Sequence, residues 1–277
     1  MPELPEVEIV TRHLNSLLVG RQFLKSQLIR PALAAENSPR QFSLWLKNTI
    51  VESVTRRGKH ILLHFDNQRT LIIHLRMTGR FHYLENTAEN PKHTHALFAL
   101  DQNKKLAFTD QRHFAMMHLL RTSEVTDSKY ISKLAPEPFS EEFTDKYLQT
   151  ILKRSKQPIK LTLLDQTKVL GLGNIYASEA LFLSGIHPRL SSSLLSLPRT
   201  KILRKMILHV LNEAILNNST MNMNPAELDG SYAGGVYESM TKAYEREGKP
   251  CYKCETPIER FTQGGRSTYF CSKCQKR

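Results

Sequence analysis

Four cysteines near the carboxyl end have the spacing of a metal site. Cys251 and Cys254 form one Cys-x2-Cys pair, Cys271 and Cys274 form a second, and 16 residues separate the two pairs. Such spacing places four thiolates around one tetrahedral zinc ion. Because a four-sulfur shell leaves no position for a reacting water, we expect one structural Zn²⁺ in a zinc ribbon. Two disulfides or unused thiols are the alternative.

The amino terminus offers a possible nucleophile. Removal of Met1 before the small residue Pro2 would expose a secondary amine. An α-amine has a pKa of about 8, so a useful fraction is neutral at physiological pH. A neutral amine can attack an electrophilic sugar carbon and form an iminium, with Glu3 as proton donor or acceptor. Ordinary capping of a helix by proline and acids explains the same residues without any chemistry.

The charge balance favours a polyanionic partner. Lys and Arg number 39 against 26 Asp and Glu among 277 residues, a formal net charge of +13. Cationic surfaces bind nucleic acids by releasing counterions from phosphates, although charge that only maintains solubility gives the same total. No apolar run reaches the ~18 to 20 residues of a membrane helix, and the acidic amino terminus is unlike a signal peptide. We therefore expect a cytoplasmic protein with no membrane partner.

The elements that must position these residues begin with a helix and continue as strands. Residues 5–18 have the apolar spacing of an amphipathic helix. Apolar side chains at every second position predict strands over 59–65 and 71–77, and a hairpin that joins 96–100 to 105–109. The first ~130 residues are therefore expected to be mainly β.

Beyond a proline-containing linker at 134–138 the pattern becomes helical. The apolar spacing predicts helices over 141–154, 158–167, 174–184 and 198–217. A glycine-rich turn at 171–174 precedes the third of them. Residues 219–247 are polar without a clear period, and we expect a mobile loop there.

Several segments match, in order, the motifs of one known family. They are PELPEVE at 2–8, RRGK at 56–59, HLRMTG at 74–79, KHTH at 92–95, LAPEP at 134–138, LLDQ at 163–166, GLGNIYA at 171–177 and QGGR at 263–266. Together with the cysteine pairs they extend from residue 2 to 274. The chain therefore resembles, over essentially its whole length, the formamidopyrimidine-DNA glycosylase/endonuclease VIII family of bacterial DNA repair.

The resemblance implies an α+β fold in three parts. Residues 1–132 would form an N-terminal β-sandwich with a leading helix, and 133–240 a helical helix–two-turn–helix domain with a lesion loop. Residues 241–277 would form the zinc-ribbon finger. The turn at 171–174 would begin a helix whose backbone N–H groups hold an anion. A monomer would bind double-stranded DNA that contains oxidised bases.

Four residues match catalytic positions of that family. By this resemblance Pro2 displaces the damaged base and forms a Schiff base, while Glu3 assists as an acid. Lys59 matches a proton-donating lysine and shares the side-chain direction of Ile61 at a strand entrance, although lysines at strand ends usually extend into solvent. Arg266 matches an arginine that grips phosphates around the lesion and has a role in δ-elimination.

Further residues match positions that contact DNA. They are His74, His93, Arg112, Lys156 and Asn174, and Met77, Arg112 and Phe114 also match the trio that fills the space left by the extruded nucleotide. The chain departs from the family pattern beside this trio. His113 stands where arginine or lysine is common, which removes a fixed charge, and Ala115 stands where glycine is common.

The resemblance implies a bifunctional DNA glycosylase and abasic-site lyase. The enzyme would excise oxidised purines, namely 8-oxoguanine and formamidopyrimidines, and then cleave the strand by β- and δ-elimination on nucleoid DNA. One alternative is an endonuclease VIII-like glycosylase for oxidised pyrimidines, whose amino terminus typically lacks the Leu4-Pro5 pair. Another is a catalytically silent DNA-binding homologue, which the joint presence of all four catalytic matches argues against, namely Pro2, Glu3, Lys59 and Arg266.

Overall fold

The computed structural model describes residues 2–277, with the backbone alone at Asp229. The predicted removal of Met1 therefore concerns a residue outside the described part. The chain divides into two units, which are described separately. The first contains Pro2, Glu6–Ser132 and Thr220–Gly235, and the second contains Glu3–Pro5, Lys133–Ser219 and Val236–Arg277.

The first unit is built on a leading helix and an eight-stranded antiparallel sheet. Its elements are α1 (Leu4–Leu18), β1 (Gln22–Leu28), α2 (Pro39–Leu46), β2 (Thr49–Arg57), β3 (His60–Phe65), β4 (Arg69–His74), β5 (Gly79–Glu85), β6 (Thr94–Leu100), β7 (Lys104–Asp110) and β8 (Met116–Arg121). The strand order is β5-β7-β6-β1-β2-β3-β4-β8. The leading helix and the hairpin of β6 with β7 confirm two predictions from the sequence.

Alternating side chains of these strands form one core. The ring centroid of Phe23 in β1 lies 5.2 Å from that of Phe65 in β3. Strands that are two apart in a flat sheet lie about 10 Å from each other, so the sheet folds over between β1 and β3. The two halves share a buried cluster with the apolar face of α1, and the unit is a β-sandwich.

Two expectations for this unit are wrong. Strand β4 ends at His74 rather than at residue 77, because Arg76 has a φ of 54° and 76–78 form a turn. The segment expected to be an irregular loop contains a hairpin of β9 (Met221–Asn224) and β10 (Asp229–Gly234), followed by α7 (Val236–Met240). Met221 and Leu228 bury this hairpin against the sandwich core, which the mostly polar sequence concealed.

The second unit consists of helices and a two-stranded ribbon. Besides α7 it contains α3 (Asp145–Lys153), α4 (Ile159–Leu164), α5 (Asn174–Leu183), α6 (Leu197–Leu216), β11 (Glu259–Gln263) and β12 (Arg266–Phe270). The four predicted helices are confirmed, but α3 begins at residue 145, because the Thr144 hydroxyl accepts the Tyr147 N–H group and caps it there. Within the described residues, no helix is long and apolar enough to cross a membrane.

Candidate active site

Glu3 is buried in the second unit, where backbone N–H groups hold its carboxylate. The N–H group of Gly173 donates to Oε2 at 2.6 Å, and that of Ile175 donates to Oε1 at 2.9 Å. Both donors lie at the start of α5, where the helix dipole favours negative charge. The predicted anion-holding turn therefore holds an anion that belongs to the chain itself.

Two glycines make room for this arrangement. A Cβ atom on Gly173 would lie 2.3 Å from Cδ of Glu3, and one on Gly171 would lie 2.4 Å from Cδ1 of Leu4. The Leu4 N–H group donates to the Gly171 carbonyl at 3.1 Å. Because a Cβ atom cannot approach so closely, glycine is required at both positions for Glu3 and Leu4 to dock.

A buried lysine that the sequence analysis missed belongs to the same unit. Lys160 in α4 is fully buried, and its Nζ donates to the Ser267 carbonyl at 3.1 Å and to Thr268 Oγ1 at 2.9 Å. Burial lowers its pKa to about 7; Glu3 opposes this shift and Arg266 adds to it. No spacing signal marks Lys160, since lysines on helices are normally exposed.

Asn174 is joined to the ribbon strand that carries Arg266. Its Nδ2 donates to the Ser267 carbonyl at 3.0 Å, the same carbonyl that Lys160 contacts. The Arg266 side chain, on the residue before this carbonyl, is exposed. Lys156 is also exposed, in the segment before α4 and outside this hydrogen-bonded group.

The four cysteines form the structural zinc site of the ribbon. Their Sγ atoms all lie within 4.8 Å of one another, with 3.9 Å between Cys251 and Cys274 and 3.5 Å between Cys254 and Cys271. Zn–S bonds of ~2.3 Å in a tetrahedron require sulfur atoms about 3.8 Å apart, so the donor set fits zinc. A zinc ion held there would join the cysteine turn before β11 to the cysteine turn after β12 and would stabilise this small ribbon.

Lys59 lies at the entrance of β3 in the first unit, where Pro2 is also buried. Lys59 is 5% exposed and precedes His60, which agrees with its predicted place. The rings of His60 and His74, paired across β3 and β4, have centroids 4.7 Å apart. Burial lowers the pKa of His60 to about 4 and that of His74 well below its usual value, and the charge of Lys59 adds to both shifts.

The predicted void-filling residues lie on two turns of the first unit. Met77 is in the turn between β4 and β5, and Arg112 and Phe114 are in the loop between β7 and β8. Phe114 is 57% exposed, and the Arg112 guanidinium carbon lies 5.2 Å from the centre of its ring. His93, a predicted DNA contact, precedes β6, and its carbonyl accepts the Asp110 N–H group at 3.1 Å.

A buried carboxylate connects these two turns. Asp110 accepts the N–H group of Ala115 at 2.7 Å and that of Arg112 at 3.3 Å, and it also accepts the Thr78 hydroxyl. The sequence analysis gave Asp110 no role, although an aspartate before a turn commonly binds the N–H groups that follow it. Ala115 is not among the residues with positive φ, so alanine fits there without strain.

Comparisons with known proteins agree with this geometry. The formamidopyrimidine-DNA glycosylase N-terminal domain matches residues 1–117, the H2TH domain of the same enzyme matches 134–224, and the zinc finger found in FPG and IleRS matches 248–277. A formamidopyrimidine-DNA glycosylase from Desulforamulus reducens is 40% identical over 277 residues, which cover 100% of this chain and 99% of the relative. The chain belongs to the formamidopyrimidine-DNA glycosylase family.

Solved structures of this family extend the comparison to complexes with DNA. A mutant Lactococcus lactis formamidopyrimidine-DNA glycosylase bound to Fapy-dG containing DNA has a TM-score of 0.92 and is 31% identical, with 100% of both chains covered. The wild-type L. lactis enzyme bound to DNA with an oxidised pyrimidine has a TM-score of 0.91 at the same identity and coverage. The predicted family, fold and structural zinc are thus confirmed, and the chain is a DNA-repair glycosylase.

In this member of the glycosylase family the 221–234 hairpin is attached to β5. The Tyr232 hydroxyl donates to the Gly79 carbonyl at 2.7 Å, and Arg80 donates to the Gly230 carbonyl at 2.7 Å. Gly79 directly follows the turn that carries Met77. The hairpin is therefore fixed to the start of the strand that follows the turn of Met77, one of the residues predicted to fill the space left by an extruded nucleotide.

Proposed function

We propose that this glycosylase is bifunctional: it excises oxidised purines from duplex DNA and then cleaves the abasic strand. The observation that carries the proposal is the carboxylate of Glu3, fixed at the start of α5 directly after Pro2 in the chain. Once Met1 is removed, the Pro2 nitrogen is a secondary amine beside an acid of defined position. The L. lactis relative bound to Fapy-dG containing DNA supports an oxidised purine as substrate.

In the proposed reaction the lone pair of the Pro2 nitrogen attacks C1′ of the damaged nucleotide. The bond between C1′ and the base breaks, and its electrons leave with the base, which takes up a proton. Glu3 takes up the N–H proton that Pro2 loses and passes it to the ring oxygen O4′ as the sugar opens, so that an iminium joins Pro2 to C1′. Lys59 serves as a further proton donor.

Strand cleavage follows from the same iminium. Loss of a C2′ proton expels the 3′ phosphate, and loss of a C4′ proton then expels the 5′ phosphate, so each elimination forms a double bond and releases a phosphate. Arg266 grips the phosphates around the lesion by charge-assisted hydrogen bonds. Water finally releases the sugar remnant from Pro2.

The remaining site residues are proposed to hold the DNA. His74 Nδ1 accepts the Arg76 N–H group at 3.0 Å, so its proton lies on Nε2 and it would offer a phosphate a neutral N–H donor. His93, Lys156 and Asn174 would contact further phosphates. Met77, Arg112 and Phe114 would fill the space left by the extruded nucleotide. We propose that the enzyme acts as a monomer in the bacterial cytoplasm.

Borohydride trapping tests the nucleophile. Mass spectrometry first establishes that Met1 is absent, and the enzyme is then trapped on a duplex with 8-oxoguanine opposite cytosine. We expect a covalent adduct whose peptide maps to Pro2, and products of both β- and δ-elimination. Pro2→Gly should cleave the strand much more slowly, whereas the control Pro39→Gly, at an exposed helix start, should keep wild-type activity.

Other outcomes separate the alternatives. Unchanged strand cleavage by Pro2→Gly would overturn the nucleophile assignment. An adduct formed with an oxidised pyrimidine but not with 8-oxoguanine would indicate the endonuclease VIII-like activity, which the L. lactis complex with an oxidised pyrimidine makes a specific alternative. No adduct with any lesion or abasic site would indicate a silent DNA-binding protein.

A further inference from the structure

His95 supports His113, the middle residue of the loop that carries Arg112 and Phe114. This segment between β7 and β8 is called the void-filling loop below. Nδ1 of His113 lies 3.1 Å from Nε2 of His95 in β6. The two ring planes are within 8° of parallel, and their centroids are 4.9 Å apart. His95 is 5% exposed, whereas His113 is on the surface. The pair therefore links an exposed loop residue to the buried framework of the sheet.

The contact with His95 is important because His113 lies between two residues that are proposed to enter the DNA. His113 stands between Arg112 and Phe114, and its φ of 61° lies in the left-handed region that favours glycine. For a histidine this conformation costs some free energy, which contacts with its surroundings can offset. Asp110 holds the loop through the N–H groups of Arg112 and Ala115, and the contact with His95 holds the residue between them.

We propose that His95 is a positioning residue for the void-filling loop, acting through His113, and that this support is lost when His95 is protonated. The inference rests on the proposed function, since it assumes that Arg112 and Phe114 enter the DNA. A hydrogen bond between two imidazoles needs one N–H donor and one unprotonated nitrogen. When both rings are protonated, the bond is replaced by repulsion between two adjacent cations.

The charged groups that face His95 favour its neutral form. Burial is the main cause that lowers the pKa of His95, and His113, Arg30 after β1 and His93 before β6 add to it. Asp110 at the end of β7 is the acid that opposes them. While His95 is neutral, its Nε2 can accept from the Nδ1–H group of His113. The bond breaks when the pH is low enough to protonate His95.

This arrangement distinguishes the chain from the family pattern described above. A lysine at position 113 would always donate to a neutral His95, and it would bring a fixed charge to DNA at every pH. Histidine lacks that fixed charge, but either side chain needs a neutral His95 as its acceptor. The affinity of the loop for DNA is therefore expected to fall when His95 is protonated, both in the wild type and in a variant with lysine at this position.

The experiment measures the dissociation constant for a duplex that contains a stable abasic-site analogue, between pH 5.5 and 8. Wild type, His113→Lys, His113→Phe and His95→Phe are compared, with His209→Phe on the exposed face of α6 as the control. At pH 7.5 both phenylalanine variants should bind about tenfold more weakly, because one hydrogen bond that orients the loop is missing. On acidification the affinity of the wild type should fall toward that of His113→Phe, and His113→Lys should show the same additional loss, because both contacts require a neutral His95.

Each outcome bears on the proposal. Identical pH profiles for wild type and His113→Phe would overturn it, and so would unchanged affinity of both phenylalanine variants at pH 7.5. Because His113 is exposed, His113→Phe remains informative even if replacement of the buried His95 prevents folding. Base release by the wild type at pH 7.5 is measured in parallel, and its absence would contradict the proposed function rather than the histidine pair.

Discussion

Glu3 in the second unit and Asp110 in the first are both buried carboxylates that accept backbone N–H groups. Around Glu3 the donors come from the start of a helix, and the carboxylate itself is the proposed reacting group. Around Asp110 the donors come from a loop, and the proposed functional side chains, Arg112 and Phe114, are exposed beyond it. Proton transfer needs a group held in one place, whereas filling a gap in DNA needs side chains that can leave solvent.

Gly173→Ala tests the fixed position of Glu3 and should have the largest effect. The new methyl group would overlap the Glu3 carboxyl carbon, so the acid must move by an ångström or more. Misplacement of that size commonly reduces rates about 100-fold, and we expect this loss in single-turnover base release. The control Gly20→Ala places its methyl group in open space and should lose only about 1 kcal/mol of stability. A base-release rate of Gly173→Ala within twofold of the wild-type rate would contradict the proposal that Glu3 must be held in this position.

Lys160→Met tests whether burial in the second unit lowers the pKa of Lys160. The pKa of Lys160 is about 7 when folded against an ordinary 10.5, so between these values the unfolded chain binds more protons and stability rises with pH. From pH 7 to 9 the wild type should gain about 2 kcal/mol of unfolding free energy relative to Lys160→Met. Denaturant titration at both pH values measures this difference. The control Lys201→Met, at an exposed lysine, should show the same pH dependence of the unfolding free energy as the wild type. The same pH dependence in Lys160→Met would refute the lowered pKa of Lys160.

Asp110→Asn tests the supporting role of the other carboxylate. An amide keeps one acceptor oxygen but places an NH₂ group against one of its donors, such as the Ala115 N–H group, which then loses its partner. We expect about tenfold weaker binding to lesion-containing duplex, with the rate of base release at saturating enzyme nearly unchanged. The exposed Asp127→Asn is the control. A large fall in the saturated rate would mean that Asp110 acts on the chemistry and would remove the contrast with Glu3.

Tyr232→Phe gives the smallest expected effect. It removes the hydroxyl that donates to the Gly79 carbonyl and should cost about 1 kcal/mol of stability. Burial raises the pKa of Tyr232, so this loss should not vary with pH across the neutral and mildly alkaline range. Hydrogen exchange should show faster opening of the 221–234 hairpin in Tyr232→Phe than in the wild type. The control Tyr252→Phe, at an exposed ring, should leave the exchange of this hairpin unchanged. Unchanged exchange in Tyr232→Phe would show that apolar packing alone holds the hairpin.

The sequence predicted the parts of the molecule that depend on local pattern. Alternation over 59–65 and helical spacing over 174–184 correspond to β3 and α5, and the cysteine spacing corresponds to the zinc site. Glu3 and Lys59 were identified because a short motif carries them. In each case the neighbours in sequence contain the information.

The sequence did not predict what depends on distant partners. The Ser267 carbonyl, which accepts from Lys160, is 107 residues away in sequence, and no pattern in α4 predicts this contact. The hairpin at 221–234 looked irregular because its burial comes from the sandwich core rather than from its own pattern. That Gly173 serves Glu3 was hidden for the same reason: the clash that requires glycine exists only after the two ends of the sequence meet.

Glu3 and Gly173 are also 170 residues apart in order of synthesis. A ribosome that adds roughly 5–20 residues each second makes the second of them roughly ten to thirty seconds after the first. During that interval the helix start that will hold Glu3 does not exist, so Glu3 cannot yet dock. The removal of Met1 that the proposed function requires would fall within this interval, before Glu3 is held in place.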